Sequence, residues 1–280
     1  MDLSTTLIGV DFTSAPTLRK PITWAQGRAI ASTGLLRLEG IERLPHFAAF
    51  EAALARPGPW LGAFDLPFGL PRELVEQLGW PRDWAGCIAH YRRLDRAEIR
   101  ARFAAFCAAR PKGAKFAHRA TDGPAGSSPS MKWVNPPVAF MLHAGVPRLV
   151  DAGVTVSALH AADPRRVALE AYPGLLAREL IGQRSYKSDD RAKQTPERLI
   201  ARKDLVDALE QGRTRLAIRL KLSHAQRDEL VADASGDTLD AVLCLVQAAW
   251  AAGQPNHGLP AGIDPLEGWI VTAPPIGATR

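Results

Sequence analysis

Apolar residues along the first third of the chain come in short runs that close on polar or turn-forming residues. Residues 6–12 contain an unbroken apolar run, Leu7-Ile8-Gly9-Val10, that stops at Asp11. A run of that length bounded by turn signals predicts a buried strand. Residues 21–32 and 34–44 predict two more, joined by a turn near Thr33 and Gly34. Pro45 predicts the first position of a helix through HFAAFEAALA, which Pro57-Gly58-Pro59 ends. WLGAFD, 60–65, is another short apolar strand and again closes on an acid, Asp65, ahead of Pro67, Gly69 and Pro71.

The rhythm then becomes helical over 72–110, including the amphipathic DRAEIRARFAAFCAAR. Residues 111–137 are rich in Lys, Gly, Ser and Pro and predict a loop, long enough to suggest function or mobility. A helix over 138–152 and strands over 154–159 and 165–173 follow, the second strand carrying Glu170. GLLARELIG and TPERLIARKDLVDALEQG read as helices, as does 224–252 with Gly236 interrupting it, and 267–275 reads as a final short strand. The first three strands can meander. The later ones need helical crossovers, and therefore parallel pairing.

Composition narrows the class. The 280 residues are 46% hydrophobic, enough for a packed core in one large domain or a core domain with an insertion. The expectation is a single domain over 1–280, with 72–152 as a helical and basic-loop insertion within it. Net charge is +6, and all of the excess sits in residues 91–133, which hold ten Lys/Arg against three Asp/Glu. That segment is a candidate surface for an anionic partner, with Lys112, Lys115, Arg119 and Lys132 around a Gly/Ser loop. Trp133, beside Lys132, is the aromatic placed for base stacking. Three cysteines without a C-x-x-C pair argue against a disulfide framework or zinc cluster and fit a reducing cytoplasm. The apolar stretch near the N-terminus is broken by Asp11 and lacks a basic flank, so no signal peptide is expected. The run 241–252 is too short to span a bilayer.

The candidate chemistry lies in the acids. Asp11, Asp65 and Glu170 each end a strand, and Asp237 and Asp240, spaced i, i+3, open the most apolar helix, with Ser235 or Asp237 as candidate caps. Ligands of parallel sheets collect at the carboxyl ends of strands, so acids placed there converge on one rim. Crowded carboxylates need protons or cations, and hard divalent ions such as Mg2+ or Mn2+ suit all-oxygen ligands.

The ordered set IGVDFTSAP, FDLPFGLP, LEAYPG and GDTLDAVLC, with HRATDGPAG between them, resembles the domain-of-unknown-function 429 family, described as predicted nucleases of the ribonuclease H-like superfamily. The resemblance implies an α/β fold with a mixed five-stranded sheet flanked by helices and a helical insertion after the fourth strand. It implies Asp11 as the first-strand acid, Asp65 as the acid ending the fourth strand, and Asp240 beside Asp237 on the last core helix. Glu170 belongs to the narrower family's pattern, as a residue completing the metal shell or orienting water. The implied activity is phosphodiester hydrolysis of DNA or RNA by a two-metal mechanism. Lys187 is a further residue that could offset charge on the reacting phosphate. The first motif also resembles the phosphate loop of actin-like and sugar kinases, for which FDLPFG is a poor second loop. An ATP-dependent phosphotransferase is therefore an alternative, and a non-catalytic nucleic-acid-binding module of the same fold is another.

Overall fold

A computed structural model describes residues 5–30 and 34–275. The opening strands form as a meander: β1 (Thr6–Asp11), β2 (Ile22–Ile30) and β3 (Leu35–Leu44), antiparallel at each step. The turn assigned to Thr33 lies outside the described residues. Helix α1 (Phe47–Leu54) then crosses to β4 (Trp60–Asp65), which lies parallel to β1. His46, not Pro45, starts that helix, its Nδ1 accepting from the Ala49 amide at 3.1 Å.

The predicted helical stretch divides into α2 (Arg72–Gln77), α3 (Trp84–Tyr91), α4 (Arg96–Ala108), a single turn α5 (Asp122–Ala125) and α6 (Val138–Asp151). Asp95 breaks the run between α3 and α4 by capping α4, with Glu98 closing a reciprocal capping box. Then follow β5 (Val154–Val156), β6 (Asp163–Glu170), α7 (Pro173–Ile181), α8 (Pro196–Glu210), β7 (Arg219–Lys221), α9 (His224–Ala232) and α10 (Asp237–Ala252). No helix among the described residues is long and apolar enough to cross a membrane.

The fold is α/β, with a mixed sheet in the order β5-β6-β4-β1-β2-β3-β7 and only β2 antiparallel to the rest. Seven strands, not five, make up this sheet. The two additions are three-residue edge strands: β5 beside β6 and β7 beside β3. The expected last strand over 267–275 reduces to one bridge, Ile270 to Glu170.

Strand alternation sorts the core into two layers. Ile8, Val10, Trp24 and Phe64 face α1 and the helices that follow β4, in one cluster with Leu74, Tyr91, Phe103 and Leu142. Leu7, Leu61, Ala63 and Leu169 face the other way, against α7, α8 and α10. Gly9 belongs to this second face. A Cβ there would stand 2.1 Å from the Ala241 carbonyl oxygen and 2.2 Å from the Leu245 amide nitrogen of α10. Only glycine lets the backbone of α10 pass this close over β1.

Candidate metal centre

Since β1, β4 and β6 run parallel, their carboxyl ends share one rim of the sheet. Asp11 and Asp65 are direct partners in the β1–β4 register. By alternation both follow Gly9 and Ala63 onto the α10 face. Gly236, at φ 79°, turns the chain into α10, whose first turn carries Asp237 and Asp240. The cap comes from neither Ser235 nor Asp237. Asp233 accepts from the Thr238 amide at 2.9 Å and hydroxyl at 2.7 Å. Asp11, Asp65 and Asp240 thereby each present a carboxylate oxygen within 4.8 Å of the other two.

The three acids are not equally partnered. Asp240 is fully buried; it accepts from the Tyr186 hydroxyl at 2.5 Å, and Lys187 Nζ donates to its second oxygen. Asp237 is held by Lys20 Nζ at 2.8 Å, and Lys20 also reaches Asp189 at 2.8 Å. Among the described residues, the carboxylates of Asp11 and Asp65 have no hydrogen-bond or ion-pair partner, although Asp11 is only 9% exposed. A buried carboxylate without a partner is costly when charged. Burial, followed by the charges of Asp240 and Asp237, holds Asp11 well above the usual carboxylate range. Burial, then Asp240, pushes Asp65 up to about 7. Burial alone would pull Lys187 down, but Asp240 holds it well above the ordinary lysine value.

A cavity of about 550 Å³ opens over these groups, with Asp11, Asp65, Asp237, Lys20 and Lys187 in its lining. The segment after β4 also contributes to its lining, through Ser127, Ser128, Pro136, Pro137 and Met141.

Glu170 pairs in register with Phe64, one residue out of step with Asp65, so alternation turns it toward the other face of the sheet. There it meets Arg119. Glu170 Oε1 accepts from Arg119 Nη2 at 2.6 Å, and Oε2 accepts from Nη1 at 2.8 Å and from the Phe68 amide at 2.9 Å. Arg119 Nη2 also donates to Asp122 at 2.9 Å. Arg119 is 3% exposed, which corrects its expected place on a solvated basic loop: its charge is taken up by two buried carboxylates.

Lys112 and Lys115 are exposed, and Lys132 is half-buried. Lys115 lines a separate shallow cavity with Arg110, Phe116 and His118. The half-buried Trp133 ring packs edge-on against Phe103 and Phe116.

The family model described as "Protein of unknown function (DUF429)" matches residues 9–261. The chain belongs to the DUF429 family. Comparison with curated proteins and with solved structures returns no match. The DUF429 match begins at Gly9, under the crossing of α10, and takes in Asp11, Asp65, Glu170, Asp237 and Asp240. Two residues of the centre were not singled out from the sequence of this DUF429 member. Tyr186 and Lys20 reach partners 54 and 217 residues away, and local pattern carries no trace of such contacts. The one available signal for Lys20 was its position in the short loop that follows Asp11.

Proposed function

We propose that this chain is a metal-dependent phosphodiester hydrolase acting on nucleic acid. The observation that carries the reading is the pair of strand-end carboxylates, Asp11 buried and Asp65 half-buried, which lie without a side-chain partner beside Asp240 and face a cavity. The donor set fits a hard divalent cation, Mg2+ or Mn2+. Every ligand atom is a carboxylate oxygen, and the raised pKa values of Asp11 and Asp65 mark uncompensated negative charge. A meander followed by parallel crossover strands, with acids ending the first and fourth strands and another on the last long helix, supports the ribonuclease H-like reading.

Asp11, Asp65 and Asp240 would hold the cation. In the two-cation form Asp237 would join them by releasing Lys20. When bound, such ions supply an activated water and offset charge on the leaving oxygen. The chain's own groups do the rest. Thr13 and Ser14 bring donors to the cavity from the turn after β1, and Lys20 and Lys187 bring positive charge that suits a phosphate. Glu170, with both oxygens engaged by Arg119, acts by fixing the insertion against the rim rather than by binding metal. Lys112 and Lys115, outside the cavity, would attract the polyanion at longer range.

Asp11→Asn tests this. The amide keeps the shape of the side chain but removes the charge that binds a cation. Manganese-dependent cleavage of oligonucleotides is expected to fall by roughly a hundredfold or more, with the circular dichroism spectrum unchanged. Cleavage near the wild-type rate would refute the assignment.

A further inference from the structure

The cavity has two unlike walls. Asp11, Asp65 and Asp237, with Lys20 and Lys187, form a charged side. Pro136, Pro137, Val138 and Met141 of the insertion, with Phe12 and Leu66, form an apolar one. The apolar wall is built into the packing. A Cβ on Gly145 of α6 would stand 2.9 Å from Leu66 and 3.1 Å from Phe12, so this helix lies directly on the residues that follow β4 and β1. Arg119 fastens the chain ahead of α6 to the end of β6 through Glu170. The rim is therefore not an open shelf. It is one side of a chamber whose volume, about 550 Å³, is that of a small-molecule site.

Resting on the hydrolase reading above, we propose that the chamber takes one unpaired nucleotide unit, its base on the apolar wall and its phosphodiester at the carboxylates. A base stacked in continuous duplex cannot reach such a chamber. Enzymes that must seat a base in a pocket act on single strands or on extruded nucleotides. Apolar contact with Pro136, Pro137, Val138 and Met141 accepts any base, and the charged side holds the backbone, so selection is by strand state and not by sequence. A strand end and an internal unpaired nucleotide present the same chemistry to it.

The test uses the full chain with Mn2+ and four substrates: a linear single strand, a closed single-stranded circle, a relaxed closed-circular duplex, and the small chromogenic diester bis(p-nitrophenyl) phosphate. Single strands are expected to be cut at least about tenfold faster per nucleotide than the duplex. Cleavage of the circle as well would identify internal nucleotides as the source. Cleavage of the linear strand alone would identify ends. Either supports the chamber. Val138→Trp, which fills the apolar side, is expected to slow single-strand cleavage about tenfold while the manganese-induced thermal shift is retained. Duplex cut as fast as single strands, or an unaffected Val138→Trp enzyme, would overturn the inference and leave the hydrolase reading standing. Failure to cut any of the four, with no thermal shift on adding Mn2+, would overturn both.

Discussion

Asp65 ends a buried strand without a hydrogen-bond partner for its carboxylate, and burial together with the Asp240 charge pushes its pKa up to about 7. The sign of the effect on stability follows from linkage. The folded chain holds the Asp65 proton up to about pH 7, whereas an unfolded aspartate loses it near 3.8. Across that interval the folded state binds more protons, so the metal-free protein should become less stable as pH rises, by on the order of a few kcal/mol in total. Asp11 adds to the trend in the same direction. Thermal melts in EDTA from pH 4 to 7 should show this fall in wild type and a shallower one in Asp65→Asn. Equal slopes in the two proteins would mean that Asp65 is not the strained group. Other residues were less legible from the sequence than these two. Arg119 sits among Lys, His and Gly in a segment that reads as solvated loop, and Glu170, its main partner, lies 51 residues on. A local reading therefore put on the surface a charge that the fold buries. Lys187 read as an accessory residue, but its pairing with Asp240 places it in the centre.

Among elements, those that position the centre were legible where their signal was local. β1 and β4 are unbroken apolar runs with terminal acids, and the strand alternation within them fixes which way Asp11 and Asp65 point. β7 was not legible, because three residues are too few to establish a period of two. The apolar residues of 267–275 misled in the other direction. Trp269, Ile270 and Val271 are buried by packing at the end of the sheet, without pairing beyond a single bridge. The contact between β1 and α10 depends on Gly9. Gly9→Ala would place a methyl carbon 2.1 Å from a helix carbonyl oxygen. Helix α10 must then shift, at a cost of about 1–3 kcal/mol or more for overpacking. Since α10 carries Asp240, the expected result is a lower melting temperature together with a reduced manganese-induced shift. A Gly9→Ala protein that loses stability but keeps the full manganese shift would separate Asp240 from the cation.

Over the whole molecule, one topology brings remote pieces to one rim: the acids of β1 and β4, the first turn of α10, the lysines of two separate loops, and the segment after β4 that lines the cavity. The phosphotransferase alternative asks the FDLPFG turn to offer free amides to a phosphate. There the Phe68 amide is taken by Glu170 at 2.9 Å and the Leu66 amide by the Phe64 carbonyl at 2.8 Å, which weighs against it. Of the basic segment after β4, Arg119 is internal and the other charges lie on or around α4 and on the loop after it, so the acidic centre keeps its own balance through Lys20 and Lys187. Whether Asp11, Asp65 and Asp240 form a cation site is decided by a crystal soaked in manganese. The expected result is an anomalous peak bonded to carboxylate oxygens of all three residues, with Lys187 displaced from Asp240. A crystal saturated with manganese that shows no peak there, with Lys187 still on Asp240, would contradict it.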